Sequence, residues 1–137
     1  MKLQLSIFNQ HAQKISLQDI DRVAEKVWRR ESKRDGVINI VLVDDDKIKD
    51  LNKRYLNKNR VTDVIAFPIS DEDNLFEGEI YISMDRVLEN ARIYKVDSSN
   101  ELQRMVVHGM LHFLGYDDKA SFEKEKMTNR ENYYLSG

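Results

Sequence analysis

The stretch Val37-Ile38-Asn39-Ile40-Val41-Leu42-Val43 is almost continuously apolar and β-branched, the composition of a strand covered on both faces. Towards the N-terminus, residues 3–8 read as a second strand, with Leu3, Leu5 and Ile7 on one face. Between the two, Ser16 is an N-cap. Behind it Leu17, Ile20, Val23, Ala24, Val27 and Trp28 recur at helical spacing, and Gly36 is the expected stop. Towards the C-terminus, Asp44 caps a helix whose apolar stripe is Ile48, Leu51, Tyr55 and Leu56. Residues 61–69 form the next strand, and Pro68 sets its end at a sheet edge or outside the sheet. Residues 70–74 read as an acidic loop and residues 79–83 as a short strand. Ser83 caps a helix carrying Val87, Leu88 and Ala91. Ser98 and Glu101 form a capping-box pattern for a helix reaching about Leu114, which Gly115 ends. A last, weakly amphipathic helix spans residues 121–135. The order β-α-β-α-β-β-α-α-α puts a small sheet before clustered helices, which favours an α+β fold over a doubly wound sheet.

Composition narrows the chemistry. A chain of 137 residues suits one domain, taken here as residues 1–137. With no Cys, thiolate metal sites, disulfides and Cys nucleophiles are excluded, so a metal must be held by His, Asp and Glu. A net charge of −2 excludes a uniformly basic nucleic-acid binder but not a local basic patch. Residues 1–9 lack the apolar stretch of a signal peptide, and no run approaches a membrane span, so the expected location is the cytoplasm.

Two of the three histidines share the stretch His108-Gly109-Met110-Leu111-His112-Phe113-Leu114-Gly115-Tyr116-Asp117-Asp118. On a helix, His108 and His112 leave the same face. Gly115 can stop that helix and turn the chain back, so that Asp118 presents a carboxylate to the same point. Three N/O ligands with a fourth position open is the donor set of a catalytic zinc. The spacing resembles that of metzincin proteases. Their general base, a Glu directly after the first His, is here Gly109, which disfavours a protease.

The same stretch resembles the signature of the YbeY-type rRNA maturation endoribonucleases, H-G-x-x-H-L-x-G-Y-D-H. Thr62-Asp63-Val64-Ile65-Ala66-Phe67-Pro68 and Glu77-Gly78-Glu79-Ile80-Tyr81-Ile82-Ser83 are similar to two further blocks of that family, in the same order. The resemblance implies a zincin-like fold: a mixed sheet of about four strands packed with about five helices. It implies one zinc ion held by His108, His112 and Asp118. It further implies single-strand-specific endoribonuclease activity in 16S rRNA 3′-end maturation and ribosome quality control, with ribosomal RNA and the small ribosomal subunit as partners. Two positions depart from the family. Its usual third His is Asp118, with Asp117 as the rival ligand, and its usual Arg is Leu56, for which Arg60 or Lys58 can substitute. The rivals are a non-catalytic ribosome assembly factor with a structural metal and another small metallohydrolase.

Residues 47–60, read as one helical stretch, carry Lys47, Lys49, Lys53, Arg54, Lys58 and Arg60 against the single acid Asp50, a local excess suited to phosphates. We take Lys49, Lys53, Arg54, Lys58 and Arg60 as the RNA-binding set. Lys26, Arg29, Arg30, Lys33 and Arg34 are interleaved with acids and read as a solvated helix end. Candidate catalytic residues are Arg60 as the cation, and Asp117, Asp63 or a hydroxide on the ion as the base. Arg104, one turn before His108, either faces the metal region or pairs with Glu101 or Asp85. His11 is expected to be exposed, and Trp28 to be core.

Overall fold

The computed structural model describes residues 2–136. They form β1 (Leu3–Asn9), α1 (Leu17–Glu31), β2 (Asp35–Val43), α2 (Asp45–Leu56), β3 (Val64–Glu72), β4 (Leu75–Ser83), α3 (Met84–Tyr94), α4 (Ser98–Phe113) and α5 (Ser121–Leu135). The strands make one mixed sheet in the order β1-β2-β4-β3. β1 and β4 flank β2 in parallel, and β3 pairs antiparallel with β4. The α+β architecture expected from the element order is the one observed.

The central strand shows why its sequence is so apolar. Ile38, Ile40 and Leu42 point into the main core, against residues of α1, α3, α4 and α5. Val41 and Val43 point the other way, into a smaller core with Ile48 and Leu51 of α2 and Ile65 of β3. Alternation along one strand thus feeds both layers. Trp28, fully buried, anchors the main core.

Several local expectations change. α1 stops at Glu31, where the Ser32 N–H bonds the Trp28 carbonyl, five residues before Gly36. Gly36 lies inside β2, where the missing side chain makes room for Trp28: a Cβ there would come within 2.7 Å of the ring. α2 does not run on to Arg60: Asn57 adopts a left-handed conformation (φ 56°) and ends it, leaving Lys58 and Arg60 on the loop that follows. Tyr55 and Leu56, read as part of its buried stripe, are exposed. The acidic stretch is mostly strand, since β3 continues to Glu72. Only Asp73 and Asn74, both at positive φ (54° and 61°), form the hairpin turn. β4 accordingly starts at Leu75. Pro68 does sit on an edge strand, next to a register shift between Pro68 and Ser70. The cap of α4 is Asp97, with no side-chain cap bond, and Glu101 is instead buried. His11 is not simply exposed. Its Nδ1 accepts from the Gln13 N–H (3.0 Å), so Nε2–H donates to Asp85 (2.9 Å), clipping the loop after β1 to α3.

Candidate metal centre and its cleft

Helix α4 carries both histidines because its other side is the packing side. Leu102, Met105, Val106 and Met110 are buried in the core, and Gly109 lies against β4. A Cβ at Gly109 would stand 2.9 Å from the Ile80 side chain. The position that holds the catalytic Glu in proteases is therefore occupied by the sheet.

At its C-terminus α4 closes with paired reverse bonds. The Gly115 N–H bonds the His112 carbonyl (3.2 Å) and the Tyr116 N–H bonds the Leu111 carbonyl (3.1 Å), with Gly115 at φ +98°. This Schellman arrangement needs a left-handed residue, which Gly adopts without a Cβ penalty. It reverses the chain and returns Asp118 to the histidine face. His108 Nε2 and His112 Nε2 are 3.1 Å apart, and Asp118 Oδ2 lies 3.4 Å from the first and 3.7 Å from the second. Ligands about 2.0–2.2 Å from a tetrahedral ion stand roughly 3.3–3.6 Å from one another, so small side-chain shifts bring this donor set onto an ion of that size. His112 is held below the ordinary histidine range, first by burial and then by the neighbouring His108, while the charges of Asp118 and Asp117 act the other way. A neutral imidazole is the form that binds a metal.

Sequence reading missed Glu131. This buried carboxylate of α5 accepts from His108 Nδ1 (2.7 Å) through Oε2 and from Arg104 Nη1 (3.1 Å) through Oε1. Arg104 also donates to Asn132 (2.8 Å), so it pairs with α5 and not with Glu101 or Asp85. A carboxylate that accepts a hydrogen bond from Nδ1–H fixes the tautomer and leaves the Nε2 lone pair facing His112 and Asp118. One signal was present: Met127, Glu131 and Tyr134 share one helical stripe, so an acid lies among buried apolar positions.

Two hollows meet at His112. One, of about 410 Å³, is lined by His108, His112, Asp118, Asp63, Tyr94, Glu101, Arg104 and Glu131 among others. Asp63 is exposed on its rim and accepts from Asn90 Nδ2 (3.4 Å). Burial pushes the Glu101 carboxyl up, and Arg104 partly offsets this. The second hollow, of about 590 Å³, has His112 at its border and contains Arg34, Leu56, Lys58, Arg60 and Asp71. Thr62 and Val64 line both. The structure thus brings Lys58 and Arg60 to a cavity shared with His112. Lys49, Lys53 and Arg54 lie exposed on α2 and line neither hollow, and Arg54 pairs with Asp50 (3.1 Å). Asp117 lines a separate hollow with Glu31 and Tyr116, and its Oδ1 accepts from the Asp118 N–H (2.7 Å). Arg34 is not solvated, as read from the sequence, but packs over Trp28 and Phe76.

The turn that carries Asp118 is also tied from outside. Glu31 at the end of α1 accepts from the Tyr116 hydroxyl (2.6 Å), the Tyr134 hydroxyl and Arg130 Nε (3.1 Å). Burial and these bonds raise both tyrosines above their ordinary range.

A family model described as Endoribonuclease YbeY matches residues 6–137. A curated protein named Endoribonuclease YbeY from Flavobacterium psychrophilum is 42% identical over 105 residues, covering 77% of this chain and 74% of its own. One of the same name from Chlorobium luteolum is 35% identical over 133 residues, covering 97% and 96%. Among solved structures, the solution structure of TM1509 from Thermotoga maritima superposes with a TM-score of 0.70 at 31% identity, over 97% of this chain and 87% of that one. With three sequence blocks in family order and a histidine–carboxylate cluster at the end of α4, the chain belongs to the YbeY endoribonuclease family.

Proposed function

We propose that this protein is a zinc-dependent, single-strand-specific endoribonuclease of 16S rRNA 3′-end maturation and ribosome quality control, acting in the cytoplasm on the small ribosomal subunit. The observation that carries the reading is the convergence of His108, His112 and Asp118 between a cation-lined hollow and an acid-lined one. These three residues would hold the ion. Zinc bound there supplies Lewis acidity to a phosphoryl oxygen and to water. Glu131 orients His108, and Arg104 holds Glu131 in turn. Arg60 and Lys58, which line the same cavity as His112, would meet backbone phosphates and offset charge in the transition state. They supply in the cavity the cation that Leu56 lacks, which favours catalysis over a purely structural metal. Asp63 would serve as general base, a reading supported by its position on the rim of the histidine hollow, which Asp117 does not line. Asp117 shapes the turn that presents Asp118. Lys49, Lys53 and Arg54 extend the basic surface along α2. No helix among the described residues is long and apolar enough to cross a membrane.

The test is to incubate zinc-loaded wild type and His112→Ala with a single-stranded RNA and with a duplex, and to map the ends. Cleavage of the single strand, lost in the variant, is expected. Binding without cleavage would support the assembly-factor reading, and equal cleavage by both proteins would reveal a contaminating nuclease and remove the claim.

A further inference from the structure

Arg34 lies three residues beyond α1, just before β2. Its guanidinium carbon stands 4.9 Å from the Phe76 ring centroid and 5.8 Å from that of Trp28, with 24% of the side chain exposed. Its Nη2 reaches the Phe113 carbonyl at 3.5 Å, the limit of a hydrogen bond, and Phe113 directly follows His112. Its Nε is 2.9 Å from Asp71 Oδ1, yet this buried N–H makes no aligned hydrogen bond among the described residues. The group is thus ordered by two rings and by an ion pair to an exposed carboxylate, and set in the wall of the cavity that His112 borders.

We propose that Arg34 is a phosphate-binding residue of the RNA site, its planar fork taking a backbone phosphate of a strand that lies in this cavity beside the histidines. The inference rests on the endoribonuclease reading. Three physical features support it. A guanidinium fork matches phosphate bidentately, and one already stacked on aromatic rings loses little freedom on binding. Lys58 and Arg60, by contrast, sit exposed on a loop and must be ordered by the ligand. The Phe113 carbonyl belongs to the C-terminal end of α4, where the helix dipole favours a cation and so fixes the guanidinium in the cavity wall before a phosphate arrives. Asp71, 57% exposed on the edge strand, holds the fork in place and competes for it.

The test is binding of a labelled single-stranded oligoribonucleotide to the full-length protein by anisotropy across a salt series, with RNA integrity checked on gels. Arg34→Met, which keeps the apolar stem, should bind about tenfold more weakly, in line with the loss of one charged hydrogen-bonded contact. Its log affinity against log salt should be shallower by about 0.7, the value for one phosphate on a single strand. Arg34→Lys should keep the slope and recover part of the affinity. Arg29→Met, which removes the same charge from an exposed pair on α1, should keep the wild-type slope. Asp71→Asn leaves the stacked side chain intact and should tighten binding severalfold, a gain that vanishes in the Arg34→Met background. That cycle decides the matter if Arg34→Met is poorly folded in thermal melts. Wild-type slope in folded Arg34→Met, or an Asp71→Asn gain that persists without Arg34, overturns the proposal. Failure of the wild type to bind RNA at all would instead remove the endoribonuclease reading beneath it.

Discussion

Replacing Glu131 by Gln tests the link between α5 and the metal centre. The carboxylate has two acceptor oxygens, one for His108 Nδ1–H at 2.7 Å and one for Arg104 Nη1–H at 3.1 Å. An amide has one acceptor and one donor, so it cannot serve both. If its oxygen faces His108, its NH2 group confronts the Arg104 donor. If its NH2 group faces His108, the ring proton moves to Nε2, the atom that shares the cluster with His112 and Asp118. The second outcome pairs the polar groups but puts the ring proton on the nitrogen that must bind the ion; the first leaves them unpaired where the glutamate side chain is only 8% exposed. Loss of such a partner costs about 1–3 kcal/mol, which for a chain of this length lowers Tm by roughly 3–10 °C. The tautomer change should weaken metal binding by about 10–100-fold, equivalent to about 1.4–2.8 kcal/mol. Competition with a chromophoric chelator measures the affinity, and melts of the metal-free protein measure the stability. A variant that melts earlier but binds zinc as tightly as wild type would refute the orienting role and leave Glu131 a structural residue.

Asp118→Ala should cost far more metal affinity than Asp117→Ala, because only Asp118 reaches both Nε2 atoms; chelator competition on both variants ranks them. Gly109→Ala should lower stability by about 1–3 kcal/mol, less about 1 kcal/mol of improved helix propensity, since its Cβ meets Ile80 at 2.9 Å; denaturant unfolding reads the balance. Glu101 has a raised carboxyl, chiefly through burial, so its favourable contribution is full below roughly pH 4 and is lost as pH rises through the raised value. Glu101→Gln should therefore raise Tm relative to wild type at pH 8 and make little difference near pH 4, and the opposite ordering would contradict the burial argument. Asp85 is held below the usual carboxylate range, first by its bond from His11 and then by the Asp45 N–H. His11→Ala should bring that carboxyl back up, measured by NMR titration, and weaken the acid stability that Asp85 supplies as pH falls through its lowered value.

Much of this site was legible in the chain because its geometry is local. His108 and His112 are one helical turn apart, Gly115 is where left-handed backbone is needed, and Asp118 follows within a short turn. The element order was legible for the same reason, through periodicity and caps such as Ser16 and Asp44, whose side chains accept from Asp19 N–H and Lys47 N–H. Errors fell where a tertiary partner overrode a local signal. Gly36 looks like a helix stop, but its lack of a side chain makes room for Trp28. Residues 70–72 look like a loop, but pairing with β4 extends the strand through them. Glu101 looks like a capping residue, but burial in the cleft wall takes it elsewhere.

What the sequence by itself determined is the grouping of His108, His112 and Asp118, the family and the α+β order, all carried by local spacing and periodicity. What only the tertiary structure decided is the surroundings of that group. Glu131 approaches His108 from 23 residues away and Arg34 approaches Phe113 from 79 residues away, each on a different element. Such contacts depend on how helices and sheet stack, and packing obeys shape and burial across the whole core, which no spacing along the chain encodes.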